Sequence, residues 1–263
     1  MSVPAPYSVT AFNTDTASAN RIHDDATARR FGFRGGLVPG VDVYAYLTHP
    51  PVAAWGRDWL EGGAMVARFH RPVYDGDTVA VVPAGDGDLE VRDPGGVVCA
   101  VATATLGAEP GQAWDVPLVA TIARADRPPA SPETLRPGTV FALASHRFDA
   151  DEAAGYLRDV REELALYREE RIAHPAWLLR DANHVLSTNV ELGPWIHVES
   201  EVVHHSVVHH GELVSARARV AREWEHKGHR FVELEVVHLA DDRLVASTRH
   251  IAIYRPRQVA EAG

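Results

Sequence analysis

In residues 1–126, the pattern of apolar and polar positions predicts two helices followed by several strands. A short segment, ATARRFG, predicts a helix with Asp25 as its N-cap and Gly32 as its stop. The next run, LVPGVDVYAYLTH, predicts a mostly buried helix that ends near Pro50 and Pro51. Runs typical of strands follow, separated by Asp- and Gly-containing turns, at 64–70, 77–83, 88–92 and 96–106.

A proline-rich stretch at 127–138 is predicted to be a linker. After it, residues 139–263 repeat the order of helices followed by strands. A charged amphipathic run over 148–170 predicts one helix, and an apolar helix is predicted to begin at Pro175. Further strand-like runs are found within 198–220 and at 230–239 and 243–254.

Two landmarks keep nearly the same offset between the halves. Pro39 to Pro175 is a shift of 136 residues, and Gly76 to Gly211 is a shift of 135. The constant offset indicates a duplication. Each half then offers one long helix and an antiparallel sheet, and a sheet wrapped on a helix buries one face of each.

Composition narrows the class of protein. Of the 263 residues, 46% are hydrophobic and 24% charged, which is typical of a globular chain. The net charge of −10 disfavours nucleic acid, whose affinity comes largely from basic residues. No apolar run approaches the roughly 20 residues that cross a membrane. The N-terminus does not resemble a signal peptide. The single cysteine, Cys99, is predicted to be a buried, inert thiol. We therefore expect a cytoplasmic protein.

The stretch from 20 to 40 carries the candidate chemistry. His23 follows Asn20 by three positions, and a Gly-rich turn then leads through Pro39 and Gly40 into the apolar helix. A histidine that titrates near neutrality can move a proton in either direction. A helix N-terminus offers N–H groups and partial positive charge to an oxygen that gains negative charge.

These residues resemble the signature of the MaoC-like dehydratases, also called R-specific enoyl-CoA hydratases or hydratase 2. Asn20, Ile22, His23 and Asp25 fall in register with it, followed by the GFRG turn at 32–35 and by Pro-Gly. A second stretch, FHRPVYDGDT, resembles the family's F-x-x-P-V-x-x-G-D strand. The resemblance implies an α+β double hotdog: two antiparallel sheets, each wrapped on a long central helix and fused in one chain.

The resemblance also implies roles for individual residues. His23 would activate the water that adds to a 2-enoyl thioester, and the Gly40 N–H would stabilise the negative charge on the thioester oxygen. Asn20 would order the loop or bind substrate or water. The resemblance further places substrate contacts at Gly36, Val38 and Pro39.

The sequence departs from the signature at two positions. The catalytic aspartate of the family, five residues before the histidine, is replaced by Ser18, and the usual proline before the isoleucine is Arg21. A serine hydroxyl can orient water but is not a base near neutrality. Asp24 and Asp15 are the candidates to take the missing role.

The function implied is that of a hydro-lyase of fatty acid metabolism. It would add or remove water at the 2,3-position of an acyl-CoA or acyl-carrier thioester, without a metal or redox cofactor. A homodimer of the double hotdog is compatible with this resemblance. Two alternatives stay open: a non-catalytic acyl-thioester-binding protein, and a repurposed enzyme such as a thioesterase or a specialised dehydratase or cyclase of secondary metabolism.

The second half lacks the Asn-x-x-His motif and is predicted to serve as scaffold and to shape the acyl pocket. His174, Asn183 and His184 are candidates there by position only, and Trp177 and Trp195 are predicted to be core or cleft wall. A histidine cluster at 204–210 is a candidate metal site. In a strand, however, its members on one face would lie about 13 Å apart, which disfavours a shared ion.

Overall fold

A computed structural model describes residues 5–16, 20–107 and 114–257. The helices are α1 (Asp25–Arg30), α2 (Gly40–Gly62), α3 (Ala150–Asp159), α4 (Leu166–Glu169) and α5 (Pro175–Ser187). The strands of the first half are β1 (Tyr7–Thr10), β2 (Gly63–Phe69), β3 (Thr78–Pro83), β4 (Asp88–Arg92) and β5 (Val98–Leu106). Those of the second half are β6 (Val140–Ala142), β7 (His146–Arg147), β8 (Ile196–His204), β9 (Leu213–His226), β10 (His229–Ala240) and β11 (Arg243–Arg255).

The strands form one antiparallel sheet in the order β1-β3-β4-β5-β2-β8-β11-β10-β9-β6, with β7 paired to β9. The two predicted sheets are therefore continuous. They join where β2 pairs with β8, in a register that sets Ala64 opposite Val203 and Arg68 opposite Glu199. Arg68 also forms an ion pair with Glu199 across this seam, at 3.0 Å.

Helices α2 and α5 contact each other and pack against the sheet, so one apolar core runs through both halves. Both helices follow the duplicated plan, because α2 begins at Gly40 and α5 at Pro175, 135 positions later. Gly76 and Gly211 are also 135 positions apart, and both have a positive φ. Of the helices in the described ranges, none is long and apolar enough to cross a membrane.

The predicted strands from 64 to 106 and from 230 to 254 are confirmed to within about two residues at each end. The predicted end of the apolar helix at Pro50 and Pro51 is wrong. Helix α2 continues to Gly62, with a kink at Gly56, where φ is 55°. Both prolines are buried in the core, so packing outweighs the backbone hydrogen bonds that they cannot donate.

The prediction of one helix over 148–170 is also wrong, because α3 and α4 are separated by a reversal at Arg161, where φ is 57°. The reversal places Glu162 in the interior. Its carboxylate lies 3.0 Å from His49 Nδ1 and 3.6 Å from His174 Nε2. Burial raises the pKa of Glu162, but the hydrogen bonds and charges of these two histidines outweigh it and lower the pKa below its ordinary value. A buried carboxylate needs such partners, and a continuous amphipathic helix is broken to supply them.

Candidate active site

A cavity of about 280 Å³ lies where the two halves meet. His23, Pro39 and Gly40 line it from the first half, and Trp195 and His197 from the second. Most of its wall is apolar, which suits a hydrocarbon chain. The apolar side chains are those of Ile22, Phe33, Leu37, Val38, Val43, Phe69, Val73, Ile196, Val198 and Ile253.

The His23 imidazole has a defined tautomer. Its Nδ1 lies 2.7 Å from the carbonyl oxygen of Leu37, which can only accept, so Nδ1 carries the proton and donates it. Burial lowers the pKa of His23. The hydrogen bond to Leu37 and the charge of Asp15 act in the opposite direction but do not cancel the effect of burial. Near neutrality the ring is therefore uncharged, with a basic lone pair on Nε2.

The Asn20 side chain contacts both His23 and Trp195, which belongs to the second half of the chain. Its Nδ2 donates to the carbonyl oxygen of Trp195 at 3.0 Å, and its Oδ1 accepts from the Trp195 N–H at 3.2 Å. The same Nδ2 lies 3.3 Å from His23 Nε2. Because the carboxamide is held from both sides, Asn20 fixes the position of a donor beside the basic nitrogen.

The Asp15 carboxylate lies near the basic nitrogen of His23. Asp15 Oδ2 lies 3.9 Å from His23 Nε2, and Asp15 Oδ1 lies 3.9 Å from an Arg180 nitrogen. The neighbouring Thr14 anchors this loop to α2, since its hydroxyl donates to the buried carboxylate of Asp42 at 2.6 Å. Burial raises the pKa of Asp42 to about 7. Ser18, the predicted replacement for the family's aspartate, lies outside the described residues.

Asp24, predicted as a candidate catalytic residue, caps a helix. Its Oδ1 accepts from the Thr27 N–H at 2.9 Å, so Asp24 is the N-cap of α1, and this bond lowers the pKa of Asp24. The prediction of Asp25 as N-cap is therefore wrong by one residue. Asp24 is not among the described residues that line the cavity.

Gly36, predicted to contact substrate, instead supports the loop that carries His23. Its N–H donates to Asp25 Oδ1 at 2.8 Å, and a Cβ at this position would lie 2.1 Å from the carbonyl oxygen of His23. Asn13 donates to that same carbonyl oxygen at 3.1 Å. The backbone of His23 is thus held by the Gly-rich turn, and Gly36 is not among the described cavity-lining residues.

Gly40 begins α2, directly after its N-cap, Pro39. Its N–H belongs to the first turn, where backbone donors have no partner within the helix. The His197 ring from β8 packs so closely that a Cβ on Gly40 would lie 2.8 Å from Nδ1 of that ring. Ser200 holds the ring in place through a 2.8 Å contact between its Oγ and His197 Nε2. The glycine is therefore required by a neighbour from the other half of the chain.

The structure brings together His23, Asn20, Gly40, Pro39 and Val38 around one cavity. Their chemical roles remain predictions. Sequence reasoning missed His197, which carries no motif of its own. The sequence indicated only that the two halves pair with each other. The contact between His197 and Gly40 follows from that pairing.

The other predicted candidates are dispersed. His174 is buried as the N-cap of α5, while Asn183 and Trp195 line the cavity. His204 faces the core against Trp59, with ring centroids 4.6 Å apart. In the parts of the chain that the structure describes, no three His, Cys, Asp or Glu side chains are grouped as metal ligands. Cys99 is buried, which raises the pKa of its thiol.

The fold is shared with solved structures over nearly the whole chain. A protein from Chloroflexus aurantiacus described as a MaoC domain dehydratase has a TM-score of 0.62 at 12% identity, covering 98% of this chain and 96% of its own. A conserved protein of Mycobacterium tuberculosis, described as having a double hotdog fold, has a TM-score of 0.60 at 17% identity, with 96% of each chain covered. No protein-family model and no curated protein sequence matches this chain.

The chain is therefore a double hotdog protein, with the fold of proteins described as MaoC-like dehydratases, as the sequence motifs predicted. The same fold also includes a protein from Novosphingobium aromaticivorans described as a thioesterase. It has a TM-score of 0.53 at 10% identity, with 95% of this chain and 96% of the other covered. The fold alone does not distinguish between these two chemistries.

Proposed function

We propose that the protein is an acyl-thioester hydratase or dehydratase, which adds or removes water at the 2,3-position of an acyl thioester. One observation carries the proposal: the uncharged, partly buried His23 and the N-terminus of α2 at Gly40 line the same apolar cavity. A base and an oxyanion donor that share one apolar pocket are the parts that this reaction requires.

The hydration follows from the chemistry of these groups. His23 Nε2 takes a proton from water, and the water oxygen attacks C3 of the enoyl thioester. The electrons of the double bond move to the thioester oxygen, where the Gly40 N–H and the α2 dipole stabilise the enolate. The proton held on Nε2 is then delivered to C2, which restores the neutral histidine. The reverse sequence removes water.

A panel of 2-enoyl-CoA substrates tests this proposal. We expect the absorbance of the conjugated enoyl thioester to fall with time and no free thiol to be released. Release of thiol at the same rate from saturated and unsaturated thioesters would contradict it and would favour a thioesterase, the activity ascribed to one protein of this fold. Binding without any change in the acyl group would identify a non-catalytic acyl-thioester-binding protein.

Asp15→Asn tests whether Asp15 replaces the carboxylate that Ser18 cannot supply. The Asp15 charge raises the pKa of His23, so its removal should lower that pKa further. We expect kcat to fall about tenfold and the acidic limb of kcat/KM to move to lower pH. The measurement is the pH profile of enoyl-CoA hydration.

Asp24→Asn is the matched control for Asp15→Asn. It changes the carboxylate next to His23 in the chain, which caps α1 and is not among the described residues lining the cavity. We expect the pH profile to match that of the wild type. If Asp24→Asn shifted the profile and Asp15→Asn did not, the two assignments would be reversed and the proposed role of Asp15 would be wrong.

A further inference from the structure

Asp42 is a buried carboxylate that the proposed reaction does not use. It is fully buried in the first turn of α2, two residues after Gly40. Its Oδ2 accepts from the Thr14 hydroxyl at 2.6 Å, whereas its Oδ1 is buried with no hydrogen-bond partner among the described residues. A buried carboxylate with one unpaired oxygen costs stability. A role in folding alone therefore does not account for Asp42.

Titratable groups from several elements face Asp42. Tyr46 lies one turn further along α2, Tyr156 comes from α3, Arg180 from α5 and Asp15 from the N-terminal loop. Burial outweighs the positive charge of Arg180, so the pKa of Asp42 rises to about 7. The neutral acid and the carboxylate both offer an acceptor oxygen. The hydrogen bond from the loop therefore persists on either side of neutral pH.

The Asp15 carboxylate reaches His23 from a second cavity. This cavity, of about 470 Å³, is lined by Asp15 and Arg180 and shares Asn20 and Trp195 with the first. The Asp15 side chain is 32% exposed and lies 3.9 Å from both His23 Nε2 and an Arg180 nitrogen. Neither contact is short enough for a hydrogen bond. The position of the carboxylate therefore depends on the turn that carries it.

Side chains on either side of this turn hold it in place. Asn13 Oδ1 accepts from the Asp15 N–H at 3.1 Å, and the Asn13 Nδ2 donates to the carbonyl oxygen of His23. The hydroxyl of Thr14 joins the turn to α2 through Asp42. The N-terminus of the same helix lines the first cavity. One helix thus supports both the candidate oxyanion donor and the carboxylate beside the candidate base.

We propose that Asp42 is a positioning residue, which holds the Asp15 carboxylate beside His23 Nε2 through the hydroxyl of Thr14. The charge that raises the pKa of His23 is that of Asp15, and Asp42 acts on it through the position of the turn. Without this bond the carboxylate can move toward Arg180 and solvent, and its effect on His23 weakens with distance. The consequence for turnover rests on the proposed function.

An NMR titration of the full chain with isotope-labelled histidine tests this proposal. The signal of His23 is the one that is absent from His23→Ala. We expect Asp15→Asn to lower the pKa of His23 by about 0.5 or more, because a unit charge is removed from a distance of 3.9 Å. Thr14→Val should lower it by about half as much, as for a charge whose distance doubles. Thr14→Ser keeps the hydroxyl and should keep the wild-type pKa.

Asp42 supplies a second pair of variants. Asp42→Asn keeps an acceptor for the Thr14 hydroxyl and should keep the wild-type pKa of His23, whereas Asp42→Val should match Thr14→Val. Thr16→Val is the matched control, an exposed threonine of the same turn, and should leave this pKa unchanged. If Asp42→Val does not fold, the Thr14 variants still decide, because Thr14 is only partly buried.

The double variant Asp15→Asn/Thr14→Val separates positioning from a general loss of structure. Adding Thr14→Val to Asp15→Asn should cause no further change in the pKa of His23, since the carboxylate that Thr14 positions is already absent. A further fall of the same size would overturn the proposal. So would an unchanged pKa in Thr14→Val, or in Asp15→Asn.

Turnover is measured separately. We expect kcat for enoyl-thioester hydration to fall about threefold in Thr14→Val with little change in KM, which is about half of the Asp15→Asn effect on a logarithmic scale. Because the titration contains no substrate, failure of hydration would leave the His23 result standing. An unchanged pKa in Thr14→Val would likewise leave the proposed function standing while it removed the role of Asp42.

Discussion

Replacement of His23 by alanine is expected to lower kcat for the hydration of 2-enoyl thioesters by about 10²–10⁴-fold, the usual contribution of a general base. Among the described residues lining the cavity, His23 combines a neutral imidazole, a fixed tautomer and a neighbouring carboxylate. The measurement is the rate of loss of enoyl absorbance at saturating substrate. The KM should change less than kcat, because in the proposed mechanism the imidazole acts on the water and not on the acyl chain.

The wild-type pH profile should report the same group. Burial lowers the pKa of His23 below its ordinary value of about 6.5, so the basic form persists to lower pH. We expect the acidic limb of kcat/KM to fall below pH about 6.5 and to be absent from the residual activity of His23→Ala. A limb that is unchanged in the variant would show that another group titrates there.

His226→Ala is the control for His23→Ala. His226 is an exposed histidine at the end of β9, and it lines neither cavity. It should hydrate enoyl thioesters at the wild-type rate. Equal losses in the two variants would indicate a general effect of removing imidazoles and would contradict the assignment of His23 as the base.

Gly40→Ala is expected to cause the second large effect. The added Cβ would lie 2.8 Å from His197 Nδ1 and 3.1 Å from His197 Cβ and Cγ, inside normal contact distance. The ring is hydrogen-bonded to Ser200 and cannot yield as a free side chain would. Overpacking of this kind costs about 1–3 kcal/mol of unfolding free energy. Displacement of the Gly40 N–H, the proposed oxyanion donor, should lower kcat about 10²-fold.

Gly62→Ala, at the other end of the same helix, is the matched control, because nothing lies within 4 Å of the Cβ it would add. It should leave both stability and kcat close to wild type. In a His197→Ala background, Gly40→Ala should cost less unfolding free energy than it does in the wild type, since the clashing ring is absent. Equal costs in both backgrounds would show that the ring is not the source of the strain.

Most of the fold could be predicted from the order of apolar and polar segments. Strands such as β4, at 88–92, were predicted at the bounds observed, because alternation and Asp/Gly turns are local signals. The duplicated plan was readable as well, since α2 and α5 begin at corresponding positions. Errors arose where burial overrode local preference, as at Pro50 and Pro51 within α2 and at Glu162 between α3 and α4.

The candidate site could be predicted from the sequence only in part. His23, Asn20 and Gly40 lie within one short motif, so a single sequence places them together. Asp15 could be named as a candidate but not preferred to Asp24, because chain distance favours the neighbour, whereas the folded loop brings Asp15 to 3.9 Å from His23 Nε2. His197, contributed by β8, carries no motif of its own and was not identified from the sequence.

By itself the sequence determined the duplicated helix-and-sheet plan, the motif that carries His23, and the absence of an aspartate at position 18. Only the tertiary structure decided which carboxylate faces the imidazole, why position 40 must be glycine, and that the buried Asp42 accepts from Thr14 in the turn that carries Asp15. The physical reason is that local patterns fix which face of each element is buried. Contacts between separate loops and elements, from Asp15 with His23 to Gly40 with His197, depend instead on how the folded chain packs.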